Sequence, residues 1–270
     1  MTDANAAFAG SIPQRYDEYL GPLFFEPYAA DLASRLRLDA GDALLELACG
    51  TGIVTQHLVA GLPRGASLTA TDLNEAMLAI AQKKIDQTEP VTWEAADACA
   101  LPFGDDWFDA VVCQFGLMFF PDKPLALREA HRVLHPGGSL LFNVWDSLAA
   151  NPLGRIAHDV IARFFTSDPP GFYNVPFGMS DVGAIKTMLH DAGFALVESE
   201  TKAIMARSIS AHHAATGLVT GSPVAHAIYE RATASPEAII AAVSTALAAE
   251  GGDAPLTLPM RAHIFTARRS

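Results

Sequence analysis

The residues best suited to chemistry begin with Leu44-Leu45-Glu46-Leu47-Ala48-Cys49-Gly50-Thr51-Gly52, an apolar run with one acid that ends in a small-residue loop. Ile53, Val54, His57 and Leu58 follow at helical spacing, so the stretch reads as strand, tight turn, helix. Glycine lets the backbone turn sharply and approach a ligand with no side chain in the way. The free N–H groups of the following helix point back at the loop. Such a turn is a common place to bind a nucleotide-like cofactor. Glu46, an acid inside an apolar strand, needs a partner. Asp72, Asp97 and Gln114 are further polar residues placed where strands should end. Three residues could act as a general base: Asp146 beside Trp145, and Tyr16 and Tyr19 in an aromatic-rich segment near the start.

The elements that must position these groups alternate. Strands are expected at 43–47, 67–71, 91–95, 108–113 and 139–144, with helices at 53–60, 75–85 and 124–134 between them. Asn74 is a plausible N-cap for the second of these helices. Alternating strands and helices imply a parallel sheet covered on both faces. Ligands in such sheets bind outside the carboxyl ends of the strands. Gly50, Gly52, Asp72, Asp97 and Gln114 all fall on that rim. A nicotinamide dinucleotide is the rival cofactor. However, Ala48 and Thr55 stand where its fingerprint wants glycine, and the pair Asp97-Ala98 has no place in it.

Ahead of the sheet, Gly21-Pro22 and Pro27 should break the segment from Pro13 into short pieces, and a helix is expected over 28–38. After it come helices at 153–165 and 180–192, the latter capped by Ser180, and a mostly extended stretch at 195–207. A long helical stretch over 211–249, broken near 221–223 and 235–236, precedes a last strand at 256–267. The stretch 208–252 is not needed to complete a sheet and reads as an insertion packed over the rim. Phe164, Phe165, Phe172, Tyr173, Phe177 and Met179 suggest either an apolar acceptor pocket or anchors of this cap.

At 270 residues, half of them hydrophobic, the chain can bury a sizeable core. A net charge of −12, with the basic cluster Arg268-Arg269 confined to the end of the chain, argues against nucleic acid and for a small-molecule partner. No apolar run is long enough to span a membrane, and Met1–Gly10 lacks a signal-peptide pattern. Cys49, Cys99 and Cys113 are scattered without metal-ligand spacing, so no metal is expected and a reduced, cytoplasmic setting is.

These motifs together resemble class I S-adenosylmethionine-dependent methyltransferases. The resemblance is carried by Glu46…Gly50-Thr51-Gly52, Ala70-Thr71-Asp72-Leu73-Asn74-Glu75-Ala76-Met77, and Asp97-Ala98-Cys99-Ala100-Leu101-Pro102-Phe103 with Phe108-Asp109. Gln114 to Asp122 and Glu129…Arg132-Val133-Leu134-His135-Pro136-Gly137-Gly138 complete it. The subgroup looks like the small-molecule enzymes that include ubiquinone and menaquinone methyltransferases. It covers residues 13–147 densely and thins afterwards. The resemblance implies that Glu46, Ala48, Cys49, Gly50 and Gly52 hold the methionine half of the cofactor. Asp72 would bind the ribose hydroxyls, and Leu73 and Met77 would pack on the adenine. Asp97 and the Ala98 N–H would meet the adenine edge, while Gln114 and Phe115 would line the methyl-donor region. Ala48 departs from the glycine that many members carry there.

The expectation is thus a single α/β methyltransferase domain over residues 1–270. Its core is a Rossmann-like, mostly parallel seven-stranded sheet with helices on both faces, built from 40–147, 180–207 and 256–269. The last strand would insert antiparallel beside 195–207. Residues 13–38 would form a lid and 151–178 and 208–252 a helical cap. The activity implied is methyl transfer from S-adenosylmethionine to a small apolar or aromatic acceptor. The alternative is a catalytically inactive, cofactor-binding regulator of the same fold.

Overall fold

A computed structural model of the chain describes residues 8–270. The first elements are α1 (Ile12–Arg15), a π-helical segment Tyr16–Phe25 and α2 (Glu26–Arg35). There follow β1 (Ala43–Glu46), α3 (Ile53–Gly61), β2 (Ser67–Asp72), α4 (Glu75–Ala81), β3 (Val91–Ala95) and β4 (Phe108–Gln114). Next come α5 (Lys123–Val133), β5 (Leu134–Trp145), α6 (Pro152–Ala162), α7 (Val182–Asp191) and β6 (Phe194–Ser208). The chain closes with α8 (Ala211–Thr220), α9 (Val224–Arg231), α10 (Pro236–Gly251) and β7 (Leu256–Arg269).

Two local expectations are corrected. Pro22 does not break its segment but lies inside the π-helix. The wider i→i+5 turn, seen where Glu26 N–H donates to Gly21 O, accommodates the ring and its missing donor. Helix α7 is capped by Asp181, whose side chain accepts from Ala184 N, and not by Ser180. Asn74 does cap α4, accepting from the N–H groups of Ala76 and Met77.

The chain divides into two compact units. The sheet unit takes Tyr28–Trp145, Met179–Lys202 and Ala262–Ser270. Its seven strands run in the order β3-β2-β1-β4-β5-β7-β6. The pairs β2–β3, β1–β2, β1–β4 and β4–β5 are parallel, and β7 lies antiparallel to β5. Leu44, Leu45, Leu68, Val111, Val112 and Val144 are fully buried, as central strands covered on both faces require. Phe142 and Phe265 face each other across β5 and β7 and stack at 5.0 Å, worth about 1 kcal/mol beyond the area they bury. The register sets Glu46 opposite Ala70 and Val112, Asp72 opposite Ala95, and Gln114 opposite Asn143. The polar residues at the carboxyl ends therefore share one edge of the sheet.

Glu129 and Arg132 on α5 brace the connection between β3 and β4. Glu129 accepts from Leu101 N–H, and Arg132 donates to the carbonyls of Leu101 and Phe103. These bonds tie down the stretch that carries Pro102-Phe103.

The helical unit takes the residues up to Pro27, Asp146–Gly178 and Ala203–Arg261. Close approach is its theme. A Cβ placed on Gly217 would lie 2.6 Å from Tyr19 Cβ, so only glycine lets α8 meet the π-helix this closely. A Cβ on Gly154 would lie 2.5 Å from the Phe177 ring. Phe172, Tyr173 and Phe177 are buried, and the Tyr173 hydroxyl donates to Leu218 O at 2.7 Å. These aromatics anchor the unit. Arg155 on α6 pairs with Glu250 on α10 at 2.9 Å.

Candidate active site

The site starts at Glu46, 1% exposed at the end of β1. The Thr55 hydroxyl, one turn into α3, donates to its Oε2 at 2.7 Å. Burial pushes the Glu46 carboxyl up to about 8; the Thr55 bond opposes the shift and the nearby Asp72 charge adds to it. The Thr71 hydroxyl donates to the Glu46 carbonyl at 2.8 Å, tying β2 to β1 at this end.

The loop after β1 is built from left-handed backbone. Ala48, Gly50 and Gly52 have φ of 52°, 56° and 80°. Glycine takes this conformation freely, whereas Ala48 is strained by roughly 1–2 kcal/mol. Its methyl is housed because residue 116 is glycine: a Cβ there would fall 2.6 Å from Ala48 Cβ. Gly52 is needed twice over, for its φ and because an added Cβ would meet Ala81 Cβ at 2.8 Å. Gly50 differs, since a Cβ there would meet nothing within 4 Å.

Asp72 closes the loop. Its Oδ2 accepts from Gly50 N–H and its Oδ1 from Asn74 N–H, both at 2.8 Å. Burial raises its pKa while these two bonds lower it. A carboxylate offers about four lone-pair directions, so two remain for a ligand's hydroxyl groups. Leu73, next along, is 65% exposed, while Met77 is buried. At the end of β3, Asp97 is exposed and accepts from Cys99 N–H at 2.8 Å, and Ala98 is buried. Buried Cys49 is held well above the ordinary thiol range, first by burial and then by the charges of Glu46 and Asp72.

Beyond β4, Phe115 is a second non-glycine residue in left-handed backbone, with φ 51°. Its ring stacks on Trp145 at 3.8 Å and 8°, and Tyr28 stands edge-on to both at 5.5 and 5.3 Å. The Phe115 N–H donates to the Asn143 side chain at 3.0 Å.

The three candidate bases lie in the helical unit. Asp146 accepts from Ser147 N–H at 2.6 Å and pairs with Arg261 at 3.2 Å, so both oxygens are engaged. Tyr16 stacks on Phe25 at 4.8 Å. Tyr19 lies against His213 at 4.8 Å, and His213 Nδ1 shares a 3.3 Å bond with Ser208. Among the described residues no cluster of three or more His, Cys, Asp or Glu could hold a metal, and no helix is long and apolar enough to cross a membrane.

Sequence reasoning gave no site role to Thr55, Thr71, Gly116, Asn143 or Trp145. Asn143 carried the same signal as Glu46, a polar residue inside an apolar run, here Leu140-Leu141-Phe142-Asn143-Val144. The stacking of Phe115 on Trp145, distant in sequence, left no local trace.

A family model described as a methyltransferase domain matches residues 45–142. The ubiquinone/menaquinone biosynthesis C-methyltransferase UbiE of Escherichia coli O1:K1 is 33% identical over 172 residues, covering 58% of this chain and 68% of the relative. The chain belongs to the S-adenosylmethionine-dependent methyltransferases. Solved structures show the same fold. The YcgJ protein of Bacillus subtilis superposes with a TM-score of 0.60 at 18% identity, over 90% of this methyltransferase and 99% of that chain. Phosphoethanolamine N-methyltransferase 2 of Haemonchus contortus, in complex with S-adenosyl-L-methionine, gives 0.60 at 14% identity, over 98% of this chain and 58% of that one. The methyl donor of this enzyme is S-adenosylmethionine.

The residues present fit that donor. Gly50 opens onto free space, Asp72 keeps two lone-pair directions, and Thr51 Oγ1 is buried without a protein partner among the described residues.

Proposed function

We propose that the methyltransferase holds its donor along the carboxyl edge of the sheet and methylates a small aromatic acceptor of the phenol or quinol class. In this reading Glu46 and the loop of Ala48, Cys49, Gly50 and Gly52 receive the methionine portion. Asp72 receives the ribose hydroxyls, Leu73 and Met77 flank the adenine, and Asp97 with the Ala98 N–H meet its edge. Gln114 and Phe115 border the reacting methyl. The observation that carries the assignment is Asp72, fixed by Gly50 and Asn74 with lone pairs to spare. Exposed Leu73 beside it offers an apolar face to a flat ring.

The acceptor class draws support from the name of the UbiE relative, a ubiquinone/menaquinone biosynthesis C-methyltransferase. It draws none from Phe172, Tyr173 and Phe177, which are spent on packing. Bound donor supplies an already activated sulfonium methyl. The protein's tasks are to align the acceptor, exclude water and take a proton from a weakly acidic hydroxyl.

Two measurements test the reading. S-adenosylhomocysteine should raise the melting temperature and NADH should not. Asp72→Asn should weaken S-adenosylhomocysteine binding at least tenfold, and an unchanged affinity would remove Asp72 from the site. A screen of phenols and quinols, scored by release of S-adenosylhomocysteine, tests the acceptor. Turnover confined to aliphatic amines or acids would overturn that part.

A further inference from the structure

Two strained turns meet at the carboxyl edge of the sheet. The left-handed residues Ala48 and Phe115 lie in different loops, yet Gly116 sits so close to Ala48 that a Cβ on it would fall 2.6 Å from the Ala48 methyl. The loop 48–52 and the turn 114–116 therefore pack as one piece. A strained backbone persists only where its surroundings over-determine it, and such residues gather at functional sites.

One side chain does most of the determining. Asn143 is completely buried on β5, directly opposite Gln114. Its Oδ1 accepts the Phe115 N–H at 3.0 Å, and its own carbonyl shares that N–H at 3.2 Å. Its Nδ2 has no partner among the described residues. A fully buried amide with half its bonding capacity unused is a poor choice for stability alone, because an apolar residue of like size would avoid the unmet donor. What the amide provides is the grip on Phe115. That grip holds the ring flat against Trp145 at 3.8 Å.

We propose that Asn143 is a positioning residue for the methyl donor. By fixing Phe115 in left-handed backbone it sets the turn 114–116, and through Gly116 it sets Ala48 and the loop that receives the donor's methionine portion. The inference rests on the cofactor assignment above, and it concerns a residue that assignment does not include.

The test uses the full chain in a background where Trp93→Phe and Trp107→Phe leave Trp145 as the only indole. Asn143→Leu removes the acceptor for Phe115 N–H, whereas Asn143→Asp keeps an oxygen in the same place. Asp72→Ala serves as the control for the site itself. S-adenosylhomocysteine affinity is measured by calorimetry on folded protein, and Trp145 emission is recorded in parallel. Asn143→Leu should weaken binding at least tenfold and alter the Trp145 spectrum, and Asn143→Asp should restore both to within threefold of the parent. A residue that merely filled space would lower the melting temperature without this rescue. Should Asn143→Leu not fold, Asn143→Ala takes its place with the same expectation.

Affinity within threefold of the parent in Asn143→Leu, with Asp72→Ala weakened, would overturn the role of Asn143 alone. Unchanged affinity in both variants would overturn the cofactor assignment, and this inference with it. Weakened binding with an unaltered Trp145 spectrum would show that Asn143 does not act through Phe115, which also overturns the proposal.

Discussion

Burial of Glu46 favours its protonated form. Its carboxyl titrates near 8 in the folded chain against an ordinary 4.5. Between those values the unfolded chain has released the proton and the folded chain has kept it, so folding is penalised increasingly as pH rises from 4.5 to 8. The melting temperature of the donor-free protein should fall across that window, and Glu46→Gln should flatten the fall. Donor binding has the opposite sign. In the proposed placement of the donor, its ammonium group beside Glu46 would favour the ionised form, so S-adenosylmethionine should displace a proton and bind more tightly as pH rises toward 8. Calorimetry in buffers of different ionisation enthalpy would read the released proton, and Glu46→Gln should release none. Glu46 was legible because a lone acid in an apolar strand is conspicuous. Thr55, which it needs, was hidden among ordinary helix residues.

Among the elements, the loop after β1 carries the sharpest demands. Gly52→Ala combines a left-handed backbone with a 2.8 Å approach to Ala81 Cβ and should cost about 2–4 kcal/mol. Ala48→Gly relieves strain and frees the backbone of the unfolded chain, so the two effects offset and the change should lie within about 1 kcal/mol of neutral. Urea unfolding of the two variants checks both. The strand–turn–helix units could be read from apolar runs ended by small or acidic residues, because a sheet buried on both faces leaves that pattern. Pro22 misled, since a proline usually ends a helix and nothing local announces a π-turn able to house it. Asp181 and Ser180 are both good caps, and only the backbone shows which faces the free N–H groups.

Across the whole molecule, the indoles are distributed unevenly. Trp93, Trp107 and Trp145 all belong to the sheet unit, so their emission reports on that unit. If the sheet edge binds the donor, S-adenosylhomocysteine at 100 times its Kd should raise the tryptophan-monitored unfolding free energy by about 2.7 kcal/mol. No shift would contradict the placement. The division into units was the part least open to sequence reasoning. The helical unit gathers three separated segments, and their association depends on close approaches such as Gly217 to Tyr19. Glycines in a helix signal weakness locally and fit only in three dimensions.

Cys49 sits in the loop proposed to hold the donor, with its thiol held protonated by burial and by two neighbouring acids. A thiolate there would be a strong nucleophile beside an alkylating agent. In the proposed placement of the donor, keeping the proton on sulfur lowers the reactivity of Cys49 toward the activated methyl group. Intact-mass measurement after prolonged incubation with S-adenosylmethionine should show no methyl group gained at Cys49.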